Sequence, residues 1–400
     1  MAEKAKIMFV GDCLSLIKNG ANIKQDRGAS GIPITRIETL SGGVFNRDRL
    51  GYANIDSVEK YKSYVLESGD LLFSHINSKT YIGRTVLYEK EGDETIIHGM
   101  NLLRLKVIPD IITPKFFYYL SLTESFKEQV AASRKDAVNQ SSISVADIKK
   151  IRITVPSIEE QNRIVSELDL LANVIEKKKE QIRDFDTLSL SSFDELFGGL
   201  DKNPNGWPTK KLCEICSFYR GLTYAKPDEV PFSSKIVLRS NNVDLDSHSL
   251  LIDEDLKYLR EDFVIPEEKR VTKDSILMCM SNGSRKHVGK VAYIDKDYGY
   301  AFGGFMGLLK PVISYTPIYV FYALLSPDFK GFLNRIGEGI GILNLKFSTL
   351  GEFSIPIPPE ELRSVFVERI KAIDTQKALS KSSLKDLQIL FNSRMETWFD

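Results

Sequence analysis

The chain has 400 residues, enough for two or three domains, and its 42% hydrophobic and 27% charged content belongs to a folded globular protein rather than a disordered one. Lys plus Arg and Asp plus Glu both number 54, so the net charge of zero carries no bulk signal of nucleic-acid binding and leaves only a local basic surface, offset by acidic residues elsewhere. No apolar run reaches the ~18 residues of a membrane helix, the N-terminal apolar stretch is too short for a signal peptide, and four cysteines form no disulfide framework; a cytoplasmic protein without membrane contact is expected.

The first 156 residues read as a mixed α and β head, in which short apolar runs such as Gly69-Asp70-Leu71-Leu72-Phe73 are followed by polar loops. Pro156 then marks a helix entry. Ser157-Ile158-Glu159-Glu160 has the form of a capping box, with Ser157 accepting from the Glu160 amide while Glu160 reaches back. From Glu159 to Phe197, 39 residues or roughly 58 Å of helix, apolar residues recur at alternating steps of three and four through Ile164, Leu168, Leu171, Ile182, Phe185 and Leu196. Lys178, Ser189 and Ser192 interrupt this stripe; polar stripe positions weaken a helix pair but fix its register. Lys177-Lys178-Lys179 reads as a solvated edge. The run from Gly198 to Pro208 then breaks both helix and strand, which marks a linker or sharp turn.

The second half repeats the first. An offset of 202 carries the stripe onto Phe366, Ile370, Ile373, Leu384, Leu387 and Trp398. In the heads the offset drifts between 201 and 206: Gly20 meets Gly221, Arg36 meets Arg239, Asp70 meets Asp274, Gly83 meets Gly289, and Ile153-Thr154-Val155-Pro156 meets Ile355-Pro356-Ile357-Pro358. Pro359 opens the second helix. Two such stripes bury each other as an intramolecular coiled coil; the alternative is two amphipathic helices, each packed on its own head.

Signatures of catalysis are missing. The chain lacks a Gly-x4-Gly-Lys-Ser/Thr loop, an Asp/Asn-Pro-Pro-aromatic tetrapeptide and a His-Glu-x-x-His pair. Gly337-Glu338-Gly339-Ile340-Gly341 imitates a nucleotide loop but opens no Rossmann unit. Cys213 and Cys216 form a lone C-x-x-C that needs Cys279 and His287 to complete a zinc site. What remains is recognition. The loop from Ser74 to Tyr81, with Asn77 and Lys79, and the loop from Ser281 to Lys286, with Ser281, Asn282, Arg285 and Lys286, are short, polar and basic, and such side chains read base edges and phosphates. Plain solvent loops are the competing reading. Arg36 and Arg239, placed alike after short β-like runs, join the candidates with Arg84 and Lys135.

In this order, repeated at a fixed interval, Gly69-Asp70-Leu71-Leu72 or Lys273-Asp274-Ser275-Ile276, then Ile151-Arg152-Ile153-Thr154-Val155-Pro156 or Phe353-Ser354-Ile355-Pro356-Ile357-Pro358, and then the long helix resemble the specificity subunit of type I restriction-modification enzymes over nearly all of the chain. Glu159-Glu160-Gln161-Asn162-Arg163-Ile164-Val165 is similar to that family's helix opening, as is Trp207-Pro208 to the opening of its second head; Glu360-Glu361-Leu362-Arg363-Ser364 departs from the pattern. The resemblance implies an α+β fold with target-recognition domains at 1–156 and 207–358, spacer helices at 157–197 and 359–400, and a linker at 198–206. The helices would pair as an antiparallel coiled coil with pseudo-two-fold symmetry, a ruler between the halves of a split double-stranded DNA site. It further implies a non-catalytic subunit with no cofactor of its own, docking two DNA methyltransferase subunits and, through them, restriction/translocase subunits; S-adenosylmethionine, ATP and Mg would sit on those partners. A duplicated cytoplasmic scaffold or ligand-binding protein, or the specificity subunit of a related modification system, is the alternative.

Overall fold

A computed structural model describes residues 5–26, 31–55, 57–137, 140–253, 255–312, 316–336 and 344–399. The chain divides into two compact units, one of residues 1–177 with 384–400 and one of residues 178–383. The division runs through the long helices, Ile158–Phe197 and Glu360–Phe399, so each helix contributes to both units. Among the described residues no helix is long and apolar enough to cross a membrane.

In the first unit an antiparallel sheet runs in the order Leu14–Asn19, Leu103–Val107, Leu71–Phe73, Thr85–Leu87. The inner strand Leu71–Phe73 is apolar throughout because both of its faces are covered. Leu71 and Phe73 face a core with Phe116, Phe117, Ile164, Leu168 and Met395, while Leu72 faces a second core with Leu40, Val86 and Tyr88. The second unit repeats the plan in Cys216–Arg220, Met306–Pro311, Ser275–Cys279 and Val291–Ile294. There Ile276 and Met278 face Tyr319, Phe329 and Phe366, and Leu277 and Cys279 face Leu238 and Phe302. Each unit is thus α+β, as its alternating runs imply.

The structure corrects two details of the sequence reading and adds a third. Gly69 (φ +92°) and Asp274 (φ +61°), not Asp70 and Asp274, occupy the same left-handed turn, and their amides donate to the carbonyls of Tyr88 and Ile294 at 2.9 and 2.8 Å. Aspartate is among the few side chains that tolerate this conformation, so matching by chemical type slipped the register by one. Asp70 instead is buried against Arg104, Oδ2 to Nη2 2.7 Å. At the helix openings the equivalent residues are Gln161 and Arg363. The fully buried Gln161 donates from Nε2 to the carbonyls of Ile111 and Pro156, both 2.9 Å, and accepts at Oε1 from the Thr113 amide; Arg363 Nε donates to the matching Pro358 carbonyl at 3.1 Å. The capping box is half formed: Ser157 accepts from the Glu160 amide at 3.3 Å, but the Glu160 carboxylate turns to Arg163, whose planar guanidinium offers it two bonds.

The long helices run antiparallel. In the second unit Asp186 pairs with Lys377, Gln181 with Ser380 and Glu195 with Arg369; in the first, Glu167 pairs with Arg394 and accepts from Trp398 Nε1. The stripe is not one continuous helix–helix seam. Ile164 and Leu168 are buried in the first unit's core, Phe366 and Ile370 in the second's, whereas Leu171, Ile182, Phe185, Ile373, Leu384 and Leu387 are half-buried. Phe193 and Phe197, outside the expected stripe, are 2% exposed and pack on Tyr319 and Phe366. The turn from Gly198 to Pro208 is tied down as well: Asn203 accepts from the Trp207 amide and donates to its carbonyl, and the Leu200 amide donates to Asp328.

Candidate nucleic-acid interface

The repeat brings one construction to both units. Arg36 and Arg239 each follow a short strand, Ile32–Ile34 or Lys235–Leu238, and precede a short 3-10 turn. Each backbone amide donates to a side chain three residues on, Thr39 Oγ1 or Asn242 Oδ1, both at 2.8 Å. This local bond replaces a ladder bond and turns the chain. Both guanidinium groups hold one buried nitrogen without an acceptor, Nη1 of Arg36 and Nε of Arg239, although Arg239 Nη2 pairs with Asp255 at 3.1 Å. A desolvated donor left open favours an incoming acceptor.

A second basic residue braces each turn from below. Arg84 Nη1 donates to the Leu40 carbonyl at 3.1 Å, its guanidinium lying 4.5 Å from the Tyr81 ring centre, and Lys290 Nζ donates to the Val243 carbonyl at 2.7 Å. Arg84 thereby helps to hold the Arg36 turn. Lys290 was not among the sequence candidates; the signal for it was its place directly after Gly289, as Arg84 follows Gly83. Those glycines have φ of +84° and +85°.

In the first unit Asn77 lies in Ile76–Asn77, which pairs with Ser141–Ser142 and through it with Lys135–Asp136. Asn77 and Lys135, far apart in sequence, therefore share one three-stranded ribbon, and Lys79 lies in the turn that follows Asn77. Asp136 tempers its charge: it lies 3.7 Å from Lys79 Nζ, and hydrogen bonds from Arg134 and Ser141 hold its carboxyl down to about 2. In the second unit Asn282 Nδ2 donates to Ser240 Oγ at 2.9 Å, and Ser281 bridges Asn344, which joins this loop to the Arg239 turn. Arg239, Ser281 and Asn282 then line a cleft of about 800 Å³ with Arg220, Lys257 and Phe305. Arg285 and Lys286 lie outside it, both exposed, and Arg285 Nη2 donates to the Asn334 carbonyl.

The cysteines do not converge. Cys216 and Cys279 belong to different cores, burial pushes the Cys216 thiol up to about 12, and among the described residues no group of three or more His, Cys, Asp or Glu side chains could hold a metal. Gly337–Gly341 lies outside the described residues.

The family profile described as type I restriction modification DNA specificity domain matches residues 2–184 and again 204–388. The chain belongs to this family. Among curated relatives, the putative type I restriction enzyme MjaX specificity subunit of Methanocaldococcus jannaschii is 39% identical over 183 residues, 44% of this chain and 42% of that protein. The EcoKI specificity subunit of Escherichia coli K12 is 25% identical over 193 residues, 47% of this chain and 41% of that one. Each match thus spans about two fifths of the relative's length. The crystal structure of a type I restriction-modification S subunit from M. genitalium has the same fold, with a TM-score of 0.53 at 14% identity over 99% of this chain and 96% of that one. The family's double match and the two repeated units describe the same duplication.

Proposed function

We propose that this chain is the DNA-specificity subunit of a type I restriction-modification complex, reading a two-part double-stranded site with one head per part. It performs no catalysis and needs no cofactor of its own. The long helices carry two DNA methyltransferase subunits, which in turn engage restriction/translocase subunits; S-adenosylmethionine, ATP and Mg act on those partners. The observation that carries the reading is the matched pair of arginine turns, built by the same backbone bond in both units and each holding a buried guanidinium nitrogen open. Around them the loops differ in sequence, as expected of matching scaffolds with different targets.

The decisive test is single-molecule methylation sequencing of DNA from cells expressing this chain with and without the neighbouring modification subunit. A methyladenine motif in two short parts separated by unspecified bases, present only with both proteins, is the expected result. A complex that forms yet leaves no new motif overturns the reading.

A further inference from the structure

Resting on that reading, we infer that Arg220 and Phe305 choose bases for the second head, Arg220 through a guanine and Phe305 through a thymine methyl group. Arg220 ends the strand Cys216–Arg220 opposite Gly307, and Phe305 directly precedes the strand Met306–Pro311 that contains Gly307. The Gly221 amide donates to the Met306 carbonyl at 3.1 Å, so the two side chains leave neighbouring strand ends at the lip of the 800 Å³ cleft.

Both backbones are anchored. The Arg220 carbonyl accepts from Lys269 Nζ at 2.8 Å, and the Phe305 carbonyl accepts from the amides of Met280 and Ser281 at 2.9 and 3.2 Å. Both side chains are nonetheless left out of the fold. The Phe305 ring is 72% exposed, and the exposed Arg220 guanidinium meets no carboxylate among the described residues. An exposed aromatic ring and an exposed guanidinium, carried side by side on anchored backbone at the lip of a cleft, are the side-chain types that binding surfaces favour.

The first head shows that the scaffold does not require them. Asn19 pairs with Leu103 as Arg220 pairs with Gly307, and the close approaches of Gly20 to Gly99 and of Gly221 to Gly303 align the two lips, which puts Asn19 and Asn101 where the second head has Arg220 and Phe305. Arginine suits the paired O6 and N7 acceptors of guanine, and phenylalanine suits the thymine methyl group in the major groove.

With the methylated motif known, the complex with its modification subunit is titrated with duplexes carrying 7-deazaguanine at each guanine, or uracil at each thymine, of the second part. One 7-deazaguanine should weaken the wild type about 10-fold and leave Arg220→Asn unaffected; one uracil should weaken the wild type and leave Phe305→Asn unaffected. Both variants should keep every analogue penalty in the first part. Equal penalties in wild type and variants, a second part without a G·C pair, or variants that lose the first-part penalties as well each overturn the assignment. A missing motif would instead remove the specificity reading itself.

Discussion

A methyl group added at Gly20 would sit 2.0 Å from the Gly99 carbonyl oxygen, and one at Gly221 would sit 1.9 Å from that of Gly303. Backbone cannot yield as a flexible side chain does, so Gly20→Ala and Gly221→Ala should each cost about 3 kcal/mol or more. Gly283→Ala, with nothing within 4 Å, should be near neutral, and comparing the three unfolding midpoints checks the argument. Glu94 illustrates a charge held by geometry. Arg47 binds it through Nε at 3.0 Å and Nη2 at 2.7 Å, the Glu91 amide and Tyr88 hydroxyl add bonds at 2.9 Å, and its carboxyl is held down to about 2. A folded pKa below the unfolded value of ~4.3 stabilises above that value and is lost as pH falls. The advantage of wild type over Glu94→Gln in urea, about 1 to 2 kcal/mol at pH 7, should therefore shrink between roughly pH 4.5 and 2. At the ribbon, exchanging Asn77 and Lys79 together for Ala should weaken the first half-site only; equal loss at both half-sites removes them from base and phosphate contact.

At the scale of elements, the far end of each long helix completes a core made mostly by residues distant in sequence. Met395 is 9% exposed within the first unit, near the Phe116–Phe399 ring pair at 5.2 Å, while Phe193 lies 5.6 Å from Phe366 in the second. Met395→Ala should cost about 2 to 4 kcal/mol and Phe193→Ala about 3 to 5 kcal/mol. Hydrogen exchange should show the first change loosening Pro114–Ser121 and the second loosening Thr316–Ala323, each without effect on the other helix. Loosening of both by either substitution would contradict the division into two cores.

For the whole molecule, the polar middle of the helix pair is the natural place to change length without disturbing either core. Four extra residues in both helices, after Lys178 and after Ser380, add about 6 Å. If the helices measure the gap, the methylated motif should keep its two parts and widen the unspecified stretch between them; an unchanged gap assigns the spacing to another element.

The sequence by itself determined the duplication, the two long helices, the break between Gly198 and Pro208 and the polar loops proposed for recognition, because strand alternation, helical periodicity and repeat offsets are local signals that survive divergence. It also placed Arg36 opposite Arg239 and Gly20 opposite Gly221. Only the tertiary structure decided that Gly69 rather than Asp70 matches Asp274, since that match depends on backbone conformation and not on side-chain type. It likewise decided that Phe193 and Phe197 leave the helix pair for a head core, that Lys135 joins Asn77 on one ribbon, and that Arg220 and Phe305 share a cleft with Arg239. These are contacts between segments tens of residues apart, closed by loops whose lengths carry no periodic trace, and no local spacing encodes which side chains will meet across them.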